Sequence, residues 1–78
     1  MPRYFFHLHN HLEVRDEEGK QLPDLEAAKA FAIENARDVM TSNIVQGEIC
    51  LSHRIEIEDA QGVLVAVVYF RDALTVIR

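Results

Sequence analysis

Asp24-Leu25-Glu26-Ala27-Ala28-Lys29-Ala30-Phe31-Ala32-Ile33-Glu34-Asn35-Ala36-Arg37-Asp38-Val39-Met40-Thr41-Ser42-Asn43-Ile44 is the one stretch of the chain with helical periodicity, and its reading decides the fold. At about 100° per residue, Leu25, Ala28, Ala32, Ala36, Val39 and Met40 fall on one side, and Glu34, Arg37, Asp38 and Thr41 fall opposite. Phe31 and Ile33 sit at the edges of the apolar stripe. Ala28, Ala32 and Ala36 are four apart and so stack in one row. Three methyl groups in line let a helix lie close against a flat partner, and a sheet is such a partner. Pro23 pushes Leu22 toward extended backbone, so the helix starts at Asp24, whose carboxylate suits the free amides of a first turn. Glu26 complements the positive end of the macrodipole. Gly47 is the expected exit.

Working outward, both flanks alternate with the period of a strand. Arg3 to Leu8 reads as a first strand, with Tyr4, Phe6 and Leu8 toward the core and Arg3, Phe5 and His7 away from it. His9-Asn10-His11 is a turn, since asparagine tolerates left-handed backbone. Leu12 to Arg15 is a second strand with Leu12 and Val14 inward. Asp16-Glu17-Glu18-Gly19 is a polar turn, and Lys20 to Leu22 briefly resumes a strand before the helix. After Gly47, Leu51, His53, Ile55 and Ile57 share one face, while Ser52, Arg54, Glu56 and Glu58 share the other. Asp59-Ala60-Gln61-Gly62 is a hairpin loop of four residues. Val63 to Phe70 is apolar on both faces, the pattern of a strand covered on both sides. Arg71-Asp72 breaks it, leaving Ala73 to Ile77 as a short strand or a single helical turn.

The fold class that follows is α+β: one helix packed on one face of a mostly antiparallel sheet, in the order β-β-α-β-β. One helix covers one sheet face. If Leu64, Ala66, Val68 and Phe70 point toward it, then Val63, Val65, Val67 and Tyr69 point away. Together with Phe5 they make an apolar patch that a monomer rarely tolerates. Either the tail folds back over that patch or a second copy does. A two-fold homodimer through these five residues is the expectation, being the commonest oligomer.

The 78 residues are expected to form a single domain spanning 1–78. A hydrophobic fraction of 49% with 27% charged residues is ordinary globular composition. The longest apolar runs fall far short of the roughly 18 residues a membrane span requires. Met1-Pro2-Arg3-Tyr4-Phe5-Phe6-His7 lacks the apolar core of a secretion signal. Cys50 is the sole cysteine and cannot staple the chain, which favours a reducing cytoplasm. A net charge of −5 argues against nucleic acid as a partner, since that needs a basic face.

His7, His9 and His11 are the most suggestive chemical constellation. An unbroken strand would place all three on one face, about 7 Å apart, and three imidazoles with an open position are a zinc inventory. A turn at Asn10 would scatter them, so they stand as candidate metal ligands only, with no cofactor assigned. His53 on an apolar strand face reads as a core histidine. Ser52 and His53 are adjacent on a strand and point to opposite faces, so they do not form a nucleophile–base pair. Asp16 to Gly19 is too short for a calcium loop, which needs about twelve residues. Cys50 has no helix amino terminus or close cation to activate it. Arg3, Arg54 and Arg71 are expected to pair locally with the abundant carboxylates. No catalytic residue is assigned, and the chain is read as non-enzymatic.

Several segments together carry a resemblance: Met1-Pro2-Arg3-Tyr4-Phe5-Phe6-His7-Leu8, Asp16-Glu17-Glu18-Gly19, Leu22-Pro23-Asp24-Leu25-Glu26-Ala27-Ala28, Ile57-Glu58-Asp59-Ala60-Gln61-Gly62 and Phe70-Arg71-Asp72-Ala73. The chain resembles, over nearly its whole length, a family of small uncharacterised bacterial proteins classed as a domain of unknown function. That resemblance implies no activity. His9 and His11 lie outside the shared pattern. A more distant similarity, in the Leu-Pro-Asp-Leu-Glu-Ala-Ala helix start, is to the antitoxin partners of small RNA-cleaving toxins. The expectation is a small cytoplasmic binding or interaction module, homodimeric, possessing room for an unidentified protein partner. An antitoxin-like protein and a histidine-based metal binder are the alternatives.

Overall fold

Asp24 sets the helix start as an N-cap: its backbone is extended, and Oδ1 accepts from the Ala27 amide at 2.9 Å. The computed structural model describes all 78 residues. The helix, α1, runs Leu25–Val45 and ends at Gln46, after which Gly47 takes a positive φ of 88° and donates its amide to Ile44 O. Ala28, Ala32 and Ala36 have no exposed surface, and Met40 is 2% exposed. The alanine row is the contact line with the sheet, as its spacing demands.

The sheet is antiparallel throughout. Its strands are β1 Arg3–His9, β2 Glu13–Val14, β3 Lys20–Gln21, β4 Arg54–Glu58 and β5 Leu64–Tyr69. The order is β2-β1-β4-β5, and β3 pairs with β1 beside β2. The β-β-α-β-β plan therefore holds, with Lys20–Gln21 a two-residue strand of its own. Tyr4 and Phe6 of β1, Ile55 and Ile57 of β4, and Val68 of β5 turn their side chains into the core with the helix alanines. Phe6 meets Phe31 edge-on, with ring centres 4.8 Å apart.

Three local expectations need correction. Leu12 and Val14 are not inward: both are exposed, Leu12 to 74%. Val14 pairs with Leu8 at the end of β1, but α1 lies over β4 and β5 and does not reach that far. The uncovered strip is an apolar cleft of about 220 Å³ between Phe6, Leu8, Ile55 and the helix residues Asn35, Asp38 and Val39.

The second correction concerns the phase of β5. Ile55 pairs with Val68 and Ile57 with Ala66, but Glu58 pairs with Leu64, so Val65 is an inserted residue. A bulge of one residue shifts the alternation by one face. Val65 consequently packs against the core, and Leu64 joins Glu58 on the outer face. Unbroken alternation had placed them the other way round.

The third concerns the tail. Phe70–Ala73 forms a 3₁₀ turn, with Phe70 and Ala73 wholly or almost wholly buried on the helix side. The Phe70 amide donates to His53 O at 2.8 Å and the Arg71 amide to Leu51 O at 3.2 Å. Arg37 Nε reaches from the helix to Ala73 O at 2.7 Å. The helical turn thus comes three residues earlier than the sequence suggested, and it carries the chain away from the outer face.

Gly19 is the one glycine that both turns and fits. Its φ is +69°, and a Cβ there would lie 2.8 Å from Tyr4 O and 3.0 Å from the Arg3 and Phe5 side chains. Gly62 also has a positive φ but faces open space. Gly19→Ala is expected to cost about 2 kcal/mol, since left-handed strain adds to a backbone clash. Gly62→Ala pays the strain alone, about 1 kcal/mol. Urea unfolding of both variants checks the difference, and equal midpoints would contradict it.

Candidate functional site

The outer sheet face is built of three cross-strand rows. Registers place Phe5, Glu58 and Leu64 in the first, His7, Glu56 and Val67 in the second, and His9, Arg54 and Tyr69 in the third. Each row runs from an aromatic or imidazole ring, through a charge, to an apolar group or ring on β5. Same-face neighbours on adjacent strands are within side-chain reach, and the charges in the middle column use that reach.

His7 is 3% exposed although it lies on the outer face. Its Nδ1 accepts the Asp16 amide at 3.0 Å, which leaves the ring proton on Nε2, 3.4 Å from Glu58 Oε2. Arg15 covers this pair, with its guanidinium 3.5 Å from Glu58. His9 Nε2 is 3.0 Å from Glu56 Oε1 and 3.5 Å from Glu13 Oε1. His9 Nε2 thus lies between two carboxylates without a hydrogen bond of good geometry. Arg54 Nε donates to Glu56 at 3.0 Å. That hydrogen bond, outweighing partial desolvation and helped by His9, holds the Glu56 carboxyl below its ordinary value.

Asp16 closes this face at the β1 edge. Its carboxylate accepts the amides of Phe6, Glu18 and Gly19 at 3.0–3.1 Å. Partial burial pushes its pKa up, but the Gly19, Phe6 and Glu18 amides and nearby His7 together pull it below its ordinary value. Sequence reading took Asp16 to Gly19 as a solvated turn and missed this role. The available signal was an aspartate three residues before a glycine, the spacing at which its carboxylate accepts the Gly19 amide.

The three candidate histidines do not converge. His7 and His9 share the outer face, but Asn10 turns the chain there, its Oδ1 accepting the Leu12 amide at 3.0 Å. His11 is carried round the sheet end to His53, with ring centres 5.0 Å apart and planes at 84°. His53 in turn meets Phe70 edge-on at 5.6 Å. No three histidine, cysteine, aspartate or glutamate side chains stand together as a ligand set. The cationic residues are dispersed as well: Arg3 donates to Glu18 O, Arg54 to Glu56, and Arg71 lies over the Tyr69 ring at 4.3 Å.

On β5 the surface changes character. Val63, Leu64 and Val67 are exposed to 54%, 52% and 37%, while Phe5, Val65 and Tyr69 are half-buried. One edge of β5 pairs with β4, and the other has no partner. At the far end of the sheet, Cys50 Sγ lies 3.2 Å from Ser52 Oγ. The Ser52 hydroxyl and amide hold that thiol below its ordinary pKa.

No helix is long and apolar enough to cross a membrane. No curated protein and no solved structure matches the chain. A family model, a domain of unknown function (DUF6894), matches residues 3–71. With its outer ion lattice, its Asp16-closed edge and its open β5 side all within that span, the chain belongs to the DUF6894 family.

Proposed function

We propose that the protein is a non-enzymatic interaction module of the cytoplasm that pairs with a second copy of itself along β5. The observation that supports this most is the free edge of β5 beside the exposed side chains of Val63, Leu64 and Val67. Ala60 to Phe70 contains no charged residue, and it is the longest such run in the sequence. Two copies that each carry −5 repel over most of their surfaces. They meet without burying a charge where this run faces its own symmetry mate, and antiparallel strands are brought together by a two-fold axis. Natural edge strands are usually protected by lysine, proline or a covering segment. β5 carries neither residue, and the tail leaves toward the helix. Tyr69, with Arg71 over its ring, borders the proposed contact.

Light scattering coupled to size exclusion tests the reading. The chain is expected to run at twice its own mass at micromolar concentration. Leu64→Lys with Val67→Lys is expected to weaken association by at least about 100-fold, given roughly 1.5–3 kcal/mol per buried side chain. Circular dichroism should stay unchanged, since both positions are exposed. A native protein that is monomeric, or a folded double variant of unchanged mass, would overturn the proposal.

A further inference from the structure

The sheet is wider than its one helix. α1 lies over β4 and β5 and leaves β1 and β2 uncovered on the same face. With strands about 4.8 Å apart, the midline of that uncovered pair is two spacings, about 10 Å, from the midline beneath α1. Packed helices stand about 8–10 Å apart, so the gap has the width of one more helix. Its floor is apolar. Leu8 and Ile55 line the cleft of about 220 Å³, and Val14, which pairs with Leu8 and so shares its face, is 54% exposed. Val39 forms the wall on α1, and Asp38 stands beside it on the rim. Glu34, one helical turn before Asp38, makes with it a like-charge pair at a spacing that costs helix stability. The nearby cations are engaged elsewhere: Lys29 with Glu26, Arg37 with Ala73 O, Arg15 with Glu58, and Lys20 over the Phe31 ring.

We infer that this slot receives a short amphipathic helix of a different protein, with its apolar face on Leu8, Val14 and Val39 and a lysine or arginine beside Asp38. A helix suits the floor because its backbone groups are paired internally, whereas an extended segment would lay unpaired amides over apolar side chains. A second copy has no helix to offer. α1 is the chain's one α-helix and lies on its own sheet, and the 3₁₀ turn is anchored in its own core through Phe70 and Ala73. The charge is complementary to a basic partner: the chain carries −5, and Glu34 and Asp38 bring two of its negative charges to the slot. An acidic helix is repelled there. The slot lies on the opposite side of the sheet order from the free edge of β5, so it is a separate contact from the self-pairing proposed above.

The full chain, labelled with nitrogen-15, is titrated with two synthetic helical peptides and followed by NMR. Both peptides carry the same stripe of leucines at helical spacing on an alanine background. One has lysines on the flanks of the stripe, and the other has glutamates. The lysine peptide should bind saturably and shift the amides of Leu8, Val14 and Val39. The glutamate peptide should bind at least about 5-fold more weakly, as attraction at the rim turns to repulsion. Asp38→Lys should reverse that preference. Val14→Ser, at an exposed position that leaves the circular dichroism unchanged, should weaken the lysine peptide by about 10-fold, for one apolar side chain no longer buried. Leu64→Lys with Val67→Lys should leave peptide binding unchanged, so the outcome does not depend on pairing at β5. The inference is overturned if neither peptide binds, if the two bind equally, or if the shifts fall away from the slot. Self-association of the native chain that is lost on Val14→Ser would assign the slot to a second copy and overturn it as well.

Discussion

Phe70→Ala is expected to remove about 3–5 kcal/mol of stability, the range for deleting a fully buried aromatic ring. A 78-residue chain at roughly 0.05–0.15 kcal/mol per residue has about 4–12 kcal/mol in total, so this single change consumes a large part of it. Phe70 has no exposed surface and lies between α1 and the His53 ring. It also begins the 3₁₀ turn whose Ala73 carbonyl is held by Arg37. The small residues of the helix cannot collapse into the cavity, because Ala28, Ala32 and Ala36 have no side-chain length to move. Thermal unfolding should show a midpoint lower by at least about 12 °C, at roughly 4–8 °C per kcal/mol for this size. Val76→Ala, at a residue 62% exposed on the same tail, should change stability by no more than about 0.5 kcal/mol. A loss for Phe70→Ala of under 1 kcal/mol, on the order of a surface change, would show that the tail does not belong to the core.

The helix and both main strands were legible because each follows from one period. The alanine row has helical spacing and a flat partner, so its burial was readable from position alone. The β5 bulge was not, since the extra residue Val65 is as apolar as its neighbours and leaves no mark in the hydropathy pattern. That one insertion exchanged the faces of Leu64 and Val65. Leu12 and Val14 misled for a different reason: alternation tells which face a residue lies on, not whether a helix extends over it. The outer lattice was half-readable. Histidines two apart on β1 and glutamates two apart on β4 are evident in the sequence, but their mutual register is set by the whole intervening chain. The same holds for His11 and His53, whose proximity depends on a turn at Asn10 and on the return from α1. Long-range pairing of that kind has no local signature.

Asp16→Ala is expected to cost about 3 kcal/mol at neutral pH. Hydrogen bonds to a charged group contribute about 1.5–3 kcal/mol each, and Asp16 accepts three, discounted here because the carboxylate is partly exposed. The Phe6 amide is the acute loss. It sits in the middle of β1, between the Leu8 and His9 pairs with β2 and the Arg3 and Tyr4 pairs with β3. The same variant loosens the turn that supplies the Asp16 amide to His7. The pH dependence separates this account from simple loss of packing. Asp16 has its pKa depressed in the folded state, so its contribution is complete above the unfolded value of about 3.9 and is lost as pH falls through the folded one. The gap in unfolding free energy between the native chain and Asp16→Ala should therefore be constant from neutral pH down to about 5 and narrow below about 4. Glu56 is depressed in both proteins and cancels in that difference. A gap of constant size down through the acid range would mean that the negative charge of Asp16 is not what closes the β1 edge.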